Sequence, residues 1–270
     1  MNRLVYIVVA AIALVTLACE KVIDIPLNDA DIRIVVDAQL RDSLGDNYVK
    51  LSKTGSVYSS GNFEKISGAT VTISDGTTTY TLTEVAGEPG TYVDPTLIAE
   101  PNKMYELTIL TEGTTLTATS QTFDSPFISQ LYYDPQYNFF SEFDPGEPDT
   151  IYQVFYDFGD NGTQTNFYRI KAWVSGDEDP TFYVFNDKLF NGENNIAPLW
   201  GAYVVAGDTV DVELLSIDEA RYDYLVTLAG NLQAGAGGPT PANPVSNIEG
   251  DAIGYFAAFT TDTTRIIIPE

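Results

Sequence analysis

The feature that most constrains the fold is a succession of short segments in which apolar and polar residues alternate one for one. Residues 32–38, 48–52, 69–73, 79–83, 90–93, 104–109 and 115–119 each show it, with turn formers such as Ser74-Asp75-Gly76 between them. A period of two puts successive side chains on opposite faces of a strand, so that one face is buried and the other solvated. Seven such segments in a row predict an antiparallel β-sandwich over residues 32–122.

Within it, the order Ala69-x-Val71-x-Ile73, Gly90-x-Tyr92, Tyr105-x-Leu107-x-Ile109 resembles the transthyretin or carboxypeptidase-regulatory type of Ig-like sandwich. Such modules usually serve as spacers or docking surfaces. Phe123-Asp124-Ser125-Pro126 reads as a boundary, leaving 123–270 as a second β-rich domain. Strands are expected there at 151–156, 167–174 and 208–215. Asp157-Phe158-Gly159-Asp160-Asn161-Gly162 lies between the first two, and its Asp, Asn and Gly favour a tight hairpin turn. Its acids do not have the spacing of an EF-hand calcium loop. One helix is expected near 217–233. Ser216-Ile217-Asp218-Glu219 reads as a capping box, with Ala220, Tyr224, Leu228 and Leu232 on one face and Ile217 and Leu225 beside them. Gly235-Ala236-Gly237-Gly238-Pro239 ends it. The fold class is therefore mainly β, a sandwich followed by a β-rich domain with one amphipathic helix.

The first 18 residues have a different character. Met1-Asn2-Arg3 is followed by an apolar run over 4–17 and then by Ala18-Cys19-Glu20, the pattern of a secretory signal. The run is too short for a convincing membrane-spanning helix. Cys19 is the only cysteine, so it has no partner within the chain. The segment resembles a lipobox with Ala18 at the small position, although Thr16 and Leu17 depart from its strict form. That resemblance implies cleavage before Cys19, lipidation of Cys19 and no cytoplasmic location. Residues 19–31 then form an acidic tether. Glu20 and Asp24 resemble the acidic signal that sends lipoproteins of Bacteroidota to the cell surface rather than the periplasmic face.

Composition narrows the chemistry. Lysine and arginine number 13 against 38 acids, a net charge of −25, and a surface of that sign repels nucleic acid and anionic headgroups. There is no histidine, which removes Ser-His-Asp and Cys-His catalysis and histidine-ligated metal. No cofactor is implied. Residues 131–143 are dense in aromatics, including Tyr132, Tyr133, Tyr137, Phe139, Phe140 and Phe143. They read either as an exposed face for a sugar or protein partner or as core strand, and apolar-rich stretches usually pack inside. Between Pro244 and Gly250, Asn247 could cap backbone groups or touch a ligand. Its turn-forming neighbours favour the first.

Four separated features carry a family resemblance. They are Asp187-x-Leu189-Phe190-x-Gly192, Ser216-Ile217 leading into Tyr222-x-Tyr224-Leu225, Asn243-Pro244-Val245-Ser246-Asn247-Ile248-Glu249-Gly250, and Ala252-Ile253-Gly254-Tyr255-Phe256-Ala257-Ala258. With the lipobox and the sandwich, they resemble the outer-membrane lipoproteins of Bacteroidota called domain of unknown function 4249. The resemblance implies anchoring in the outer membrane by an N-terminal lipid and an accessory, non-enzymatic role beside a TonB-dependent transporter barrel. It supplies no catalytic residues. A glycan-binding or adhesion module for glycan or peptide cargo is the alternative, and a carboxylate-pair glycosidase a third reading.

Overall fold

The computed structural model describes residues 31–55, 63–233 and 243–270. Cys19, the apolar run before it and Gly235–Pro239 lie outside them. Among the described residues no helix is long and apolar enough to cross a membrane.

All seven alternating segments form strands: β1 (Ile34–Arg41), β2 (Tyr48–Lys53), β3 (Thr70–Ser74), β4 (Thr79–Glu84), β5 (Thr91–Val93), β6 (Met104–Thr111) and β7 (Thr114–Gln121). Their buried residues follow the alternation. In β1 these are Ile34, Val36, Ala38 and Leu40, and in β6 Tyr105, Leu107 and Ile109. Together with Leu51, Val71, Ile73 and Leu116 they build a first core, each large side chain contributing about 1.5–3 kcal/mol by burial.

The remaining strands are β8 (Ile128–Tyr137), β9 (Thr150–Gly159), β10 (Phe167–Val174), β11 (Asp177–Glu178), β12 (Tyr183–Asn186), β13 (Asn194–Pro198), β14 (Thr209–Ile217) and β15 (Ala252–Ile267). The α-helix α1 (Glu219–Gln233) stands before β15. The protein is mainly β, with two sheets in a sandwich-like arrangement. The larger, 12-stranded sheet runs β11-β10-β14-β15-β1-β2-β5-β4-β3-β6-β7, with β12 also on β10, and the smaller runs β13-β9-β8. A second core lies between β8–β9 and β10–β14, where Val154, Tyr156 and Phe158 meet Tyr168, Ile170, Val212 and Leu214.

Strand β15 joins these parts. Ala252 to Phe259 pair in parallel with β1, and Thr260 to Ile267 pair antiparallel with β14. Its first half is covered on both faces. Phe256 and Ala258 enter the first core, while Ala257 and Phe259 enter a third, beneath α1, with Leu215, Ile217 and Leu225. A strand covered on both faces is a continuous apolar run, as 255–259 is.

Two local expectations are corrected. Asp157–Gly162 is no hairpin turn, because β9 belongs to the smaller sheet and β10 to the larger. Asp157 to Gly159 end β9, and the loop that begins at Asp160 crosses between sheets. Asp160 accepts from the Tyr168 hydroxyl at 2.6 Å and from the Gly192 amide at 2.8 Å, and Phe158 is fully buried against Tyr168. Ser216 does not cap the helix either. It stays in β14, opposite Tyr168 and Thr260, and Asp218 is the cap, its Oδ1 accepting from the Arg221 amide at 2.8 Å. Two ladders hold Ser216 extended, so the next acceptor along takes the cap.

Candidate functional site

The aromatic run divides where β8 outgrows the core. Tyr132 and Tyr133 are half-buried. Tyr132 stacks on Phe155 with centroids 5.0 Å apart, and Tyr133 meets the edge of Tyr152 at 5.4 Å. From Asp134 onward the strand is exposed, although its ladder with β9 continues to Tyr137 opposite Thr150. Asn138 then turns the chain. It is buried, its Oδ1 accepts from the Phe140 amide at 3.1 Å, and its Nδ2 donates to the Pro148 carbonyl at 2.9 Å. A one-turn 3-10 helix, Phe139–Glu142, follows and has no buried residue.

This bracket holds four large apolar side chains in solvent. Tyr137 is 63% exposed, Phe139 58%, Phe140 69% and Phe143 71%, which corrects the expectation that the run is core. Of β8 only Ile128, Leu131 and Tyr133 join the second core, and the residues that follow them are exposed. Phe139 and Phe143 meet edge to face at 5.1 Å, and Tyr137 donates to Glu142 at 2.9 Å. Phe140, Phe143, Asp144, Glu147 and Tyr203 line a shallow depression of about 290 Å³. The Tyr203 hydroxyl donates to the Glu147 carboxylate, and this bond is the main cause of the raised Tyr203 pKa. Tyr203 was not singled out from the sequence. It arrives on the loop after β13, a long-range neighbour that no local pattern marks.

Asn247 is elsewhere and otherwise engaged. Its Nδ2 donates to the Phe256 carbonyl at 2.7 Å and to the Thr119 carbonyl at 3.2 Å, while its Oδ1 accepts from the Phe256 amide at 2.9 Å. It fastens the entry of β15 to β7, the capping role that its neighbours favoured. The adjacent Glu249 makes a second tie, exchanging backbone hydrogen bonds with Thr117.

A cleft of about 740 Å³ lies between β7, β10 and the start of α1, and Ser120 and Asp218 line it. Ser120 Oγ donates to Asp218 Oδ2 at 2.5 Å and accepts from the Ala258 amide at 2.8 Å, so this hydroxyl is a brace between strands. Burial raises the Asp218 pKa, against the lowering by its bonds from Ser120, Arg221 and Gln121. A carboxyl whose folded pKa exceeds its unfolded one favours the fold most below the unfolded value, and that contribution is lost as pH rises through the folded value. Asp218→Asn should therefore be least stable relative to the parent in acid, and the gap should narrow as pH rises. Urea denaturation of both proteins across acidic to neutral pH checks this; a gap that widens with pH refutes the assignment.

Among the described residues no three acids converge to hold a metal ion. What the fold and the ridge define is a mainly β protein of packed, strand-linked cores that presents an aromatic surface. The chain belongs to the family described as Domain of unknown function (DUF4249), whose model matches residues 20–265. No curated protein matches it.

Proposed function

We propose that this protein is a lipid-anchored outer-membrane lipoprotein that works by binding, as a non-enzymatic accessory partner of a TonB-dependent transporter in nutrient uptake. The observation that supports it most is the ridge of Tyr137, Phe139, Phe140 and Phe143, held in solvent by a buried asparagine. Large apolar side chains gathered on a surface mark interaction sites, and a few aromatic anchors dominate the energy of an interface. The lipidated Cys19 would hold the ridge beside a barrel at the cell surface. A net charge of −25 keeps the remaining surface soluble and away from anionic headgroups.

Co-purification from native membranes tests this. Phe140→Ala is expected to weaken recovery of a transporter barrel about tenfold or more, as loss of an interface anchor does, while shifting stability by less than about 0.5 kcal/mol. Cys19→Ala should release the protein into the soluble fraction. A Phe140→Ala variant that loses stability like a core mutant, or native protein with no barrel attached, would refute the reading. The second reading, a glycan-binding surface, is favoured by one observation: Asp144 and Glu147 sit beside Phe140 and Phe143 in the same depression. Glycan binding by the isolated protein, lost in Phe140→Ala, would select it.

A further inference from the structure

A different cleft, about 350 Å³, lies where α1 covers β1, β10 and β15. Val36, Phe182, Leu225 and Leu228 give it apolar walls, and Asp37, Arg169 and Arg221 are its charged members. The described residues contain five arginines. Arg33, Arg41 and Arg265 each pair with an acid. The two that form no ion pair among the described residues are the two that share this cleft. In a chain with 38 acids, two guanidiniums of one cleft without an ion pair are not explained by a shortage of partners.

The details sharpen the anomaly. Arg221 is 4% exposed, and its Nε and Nη1 have no hydrogen-bond partner. Its guanidinium carbon lies 3.8 Å from the centroid of the Tyr255 ring, a cation–π contact that leaves those two nitrogens' donors unused. Arg169 is held over Phe182 at 5.2 Å and is half-buried. Burial first, and the charge of Arg221 second, lower its pKa. Asp37 has an unpartnered Oδ1 of its own. Burial and then the charge of Asp37 push the Tyr48 hydroxyl up to about 12, so that acid faces the tyrosines. Among the lining residues two positive charges therefore face one negative charge, with Glu178 and Glu213 acting on Arg169 from outside the lining.

We propose that this cleft binds a small organic carboxylate, its charged end between Arg169 and Arg221 and its apolar body against Phe182, Leu225 and Leu228. The guanidinium fork matches a carboxylate in shape and charge, and one added negative charge balances the cleft. The apolar walls call for a hydrocarbon body rather than a bare inorganic anion. The volume lies near the lower end for ligand pockets, which fits a small acid rather than a polymer. The site rests on the cleft alone and stands whether or not a transporter is the partner.

Calorimetric titration of the intact protein with phenylacetate and with octanoate tests it, with phenethyl alcohol and inorganic phosphate as contrasts. At least one of the two acids should saturate a single site, and the alcohol and phosphate should bind more weakly. Arg221→Gln should raise Kd about tenfold to a hundredfold, the usual loss for a hydrogen bond to a charged group. Arg169→Met is the second variant, which removes no ion pair. It should weaken binding by a similar factor while leaving the melting temperature of the free protein unchanged or higher, because like-charge repulsion on Arg221 is relieved. A purely structural arginine would give the opposite shift. Absence of saturable binding by both acids, equal binding of the alcohol or of phosphate, or undiminished affinity in Arg169→Met overturns the proposal.

Discussion

Gly254→Val is expected to destabilise the protein severely. Gly254 sits in β15 opposite Val36 of β1, with φ at +117°, a backbone conformation that side chains rarely adopt. A Cβ there would lie 1.8 Å from the Val36 carbonyl oxygen and 2.8 Å from its carbon. Those are backbone atoms of a paired strand, so the neighbour cannot swing aside as a flexible side chain would. Positive φ costs about 1–2 kcal/mol for an ordinary residue, and forced overpacking about 1–3 more. A loss of about 2–5 kcal/mol is a large part of the margin of a typical domain. Circular dichroism during thermal and urea unfolding measures it. An unchanged midpoint for Gly254→Val would mean that β15 and β1 do not approach this closely.

Phe256→Ala should cost about 3–5 kcal/mol, as expected for a large aromatic side chain removed from a closed core. Phe256 is fully buried among residues of β1 to β7, though the chain reaches it only after β8 to β14 and α1. Both tryptophans, Trp173 and Trp200, lie between residues 123 and 251, so their fluorescence reports the later part of the fold. Because β15 is hydrogen-bonded to β1 through one half and to β14 through the other, fluorescence and far-ultraviolet dichroism should shift together in this variant. A fluorescence midpoint that stays at the parent value while dichroism shifts would show that the first core melts by itself.

The close approach at Gly254 also bears on the arginine cleft, since Gly254 and Tyr255 both line it. The absence of a side chain at 254 lets β1 and β15 come together. The same register places Asp37 opposite Tyr255, against which Arg221 stacks. Packing of the last strand and placement of the charges are thus one geometric fact.

Local pattern sufficed for the β-strands of the first core because a half-buried strand writes its period into the sequence, and 104–109 became β6 almost without change at its start. It sufficed for α1 as well, since Tyr224, Leu225 and Leu228 recur at helical spacing. It failed at Ser216, where two strand partners outweighed a local cap, and at Asp157–Gly162, where good turn residues served a crossing between sheets. The exposure of Phe140 and Phe143 was equally hidden. An aromatic side chain reads the same in sequence whether another sheet reaches far enough to cover it or stops short.

By itself, then, the sequence determined the strand-rich class, the positions of most elements, the absence of histidine chemistry and the family resemblance carried by 243–258. Each of these depends on a residue and its near neighbours. Only the tertiary structure decided that β15 returns to lie beside β1, that the ridge at 137–143 stands in solvent, and that Arg169 and Arg221, 52 positions apart, share one cleft in which neither forms an ion pair. Those outcomes depend on which surfaces meet across long stretches of chain, and pairing at such distances is set by the summed burial of whole faces rather than by any short run of residues.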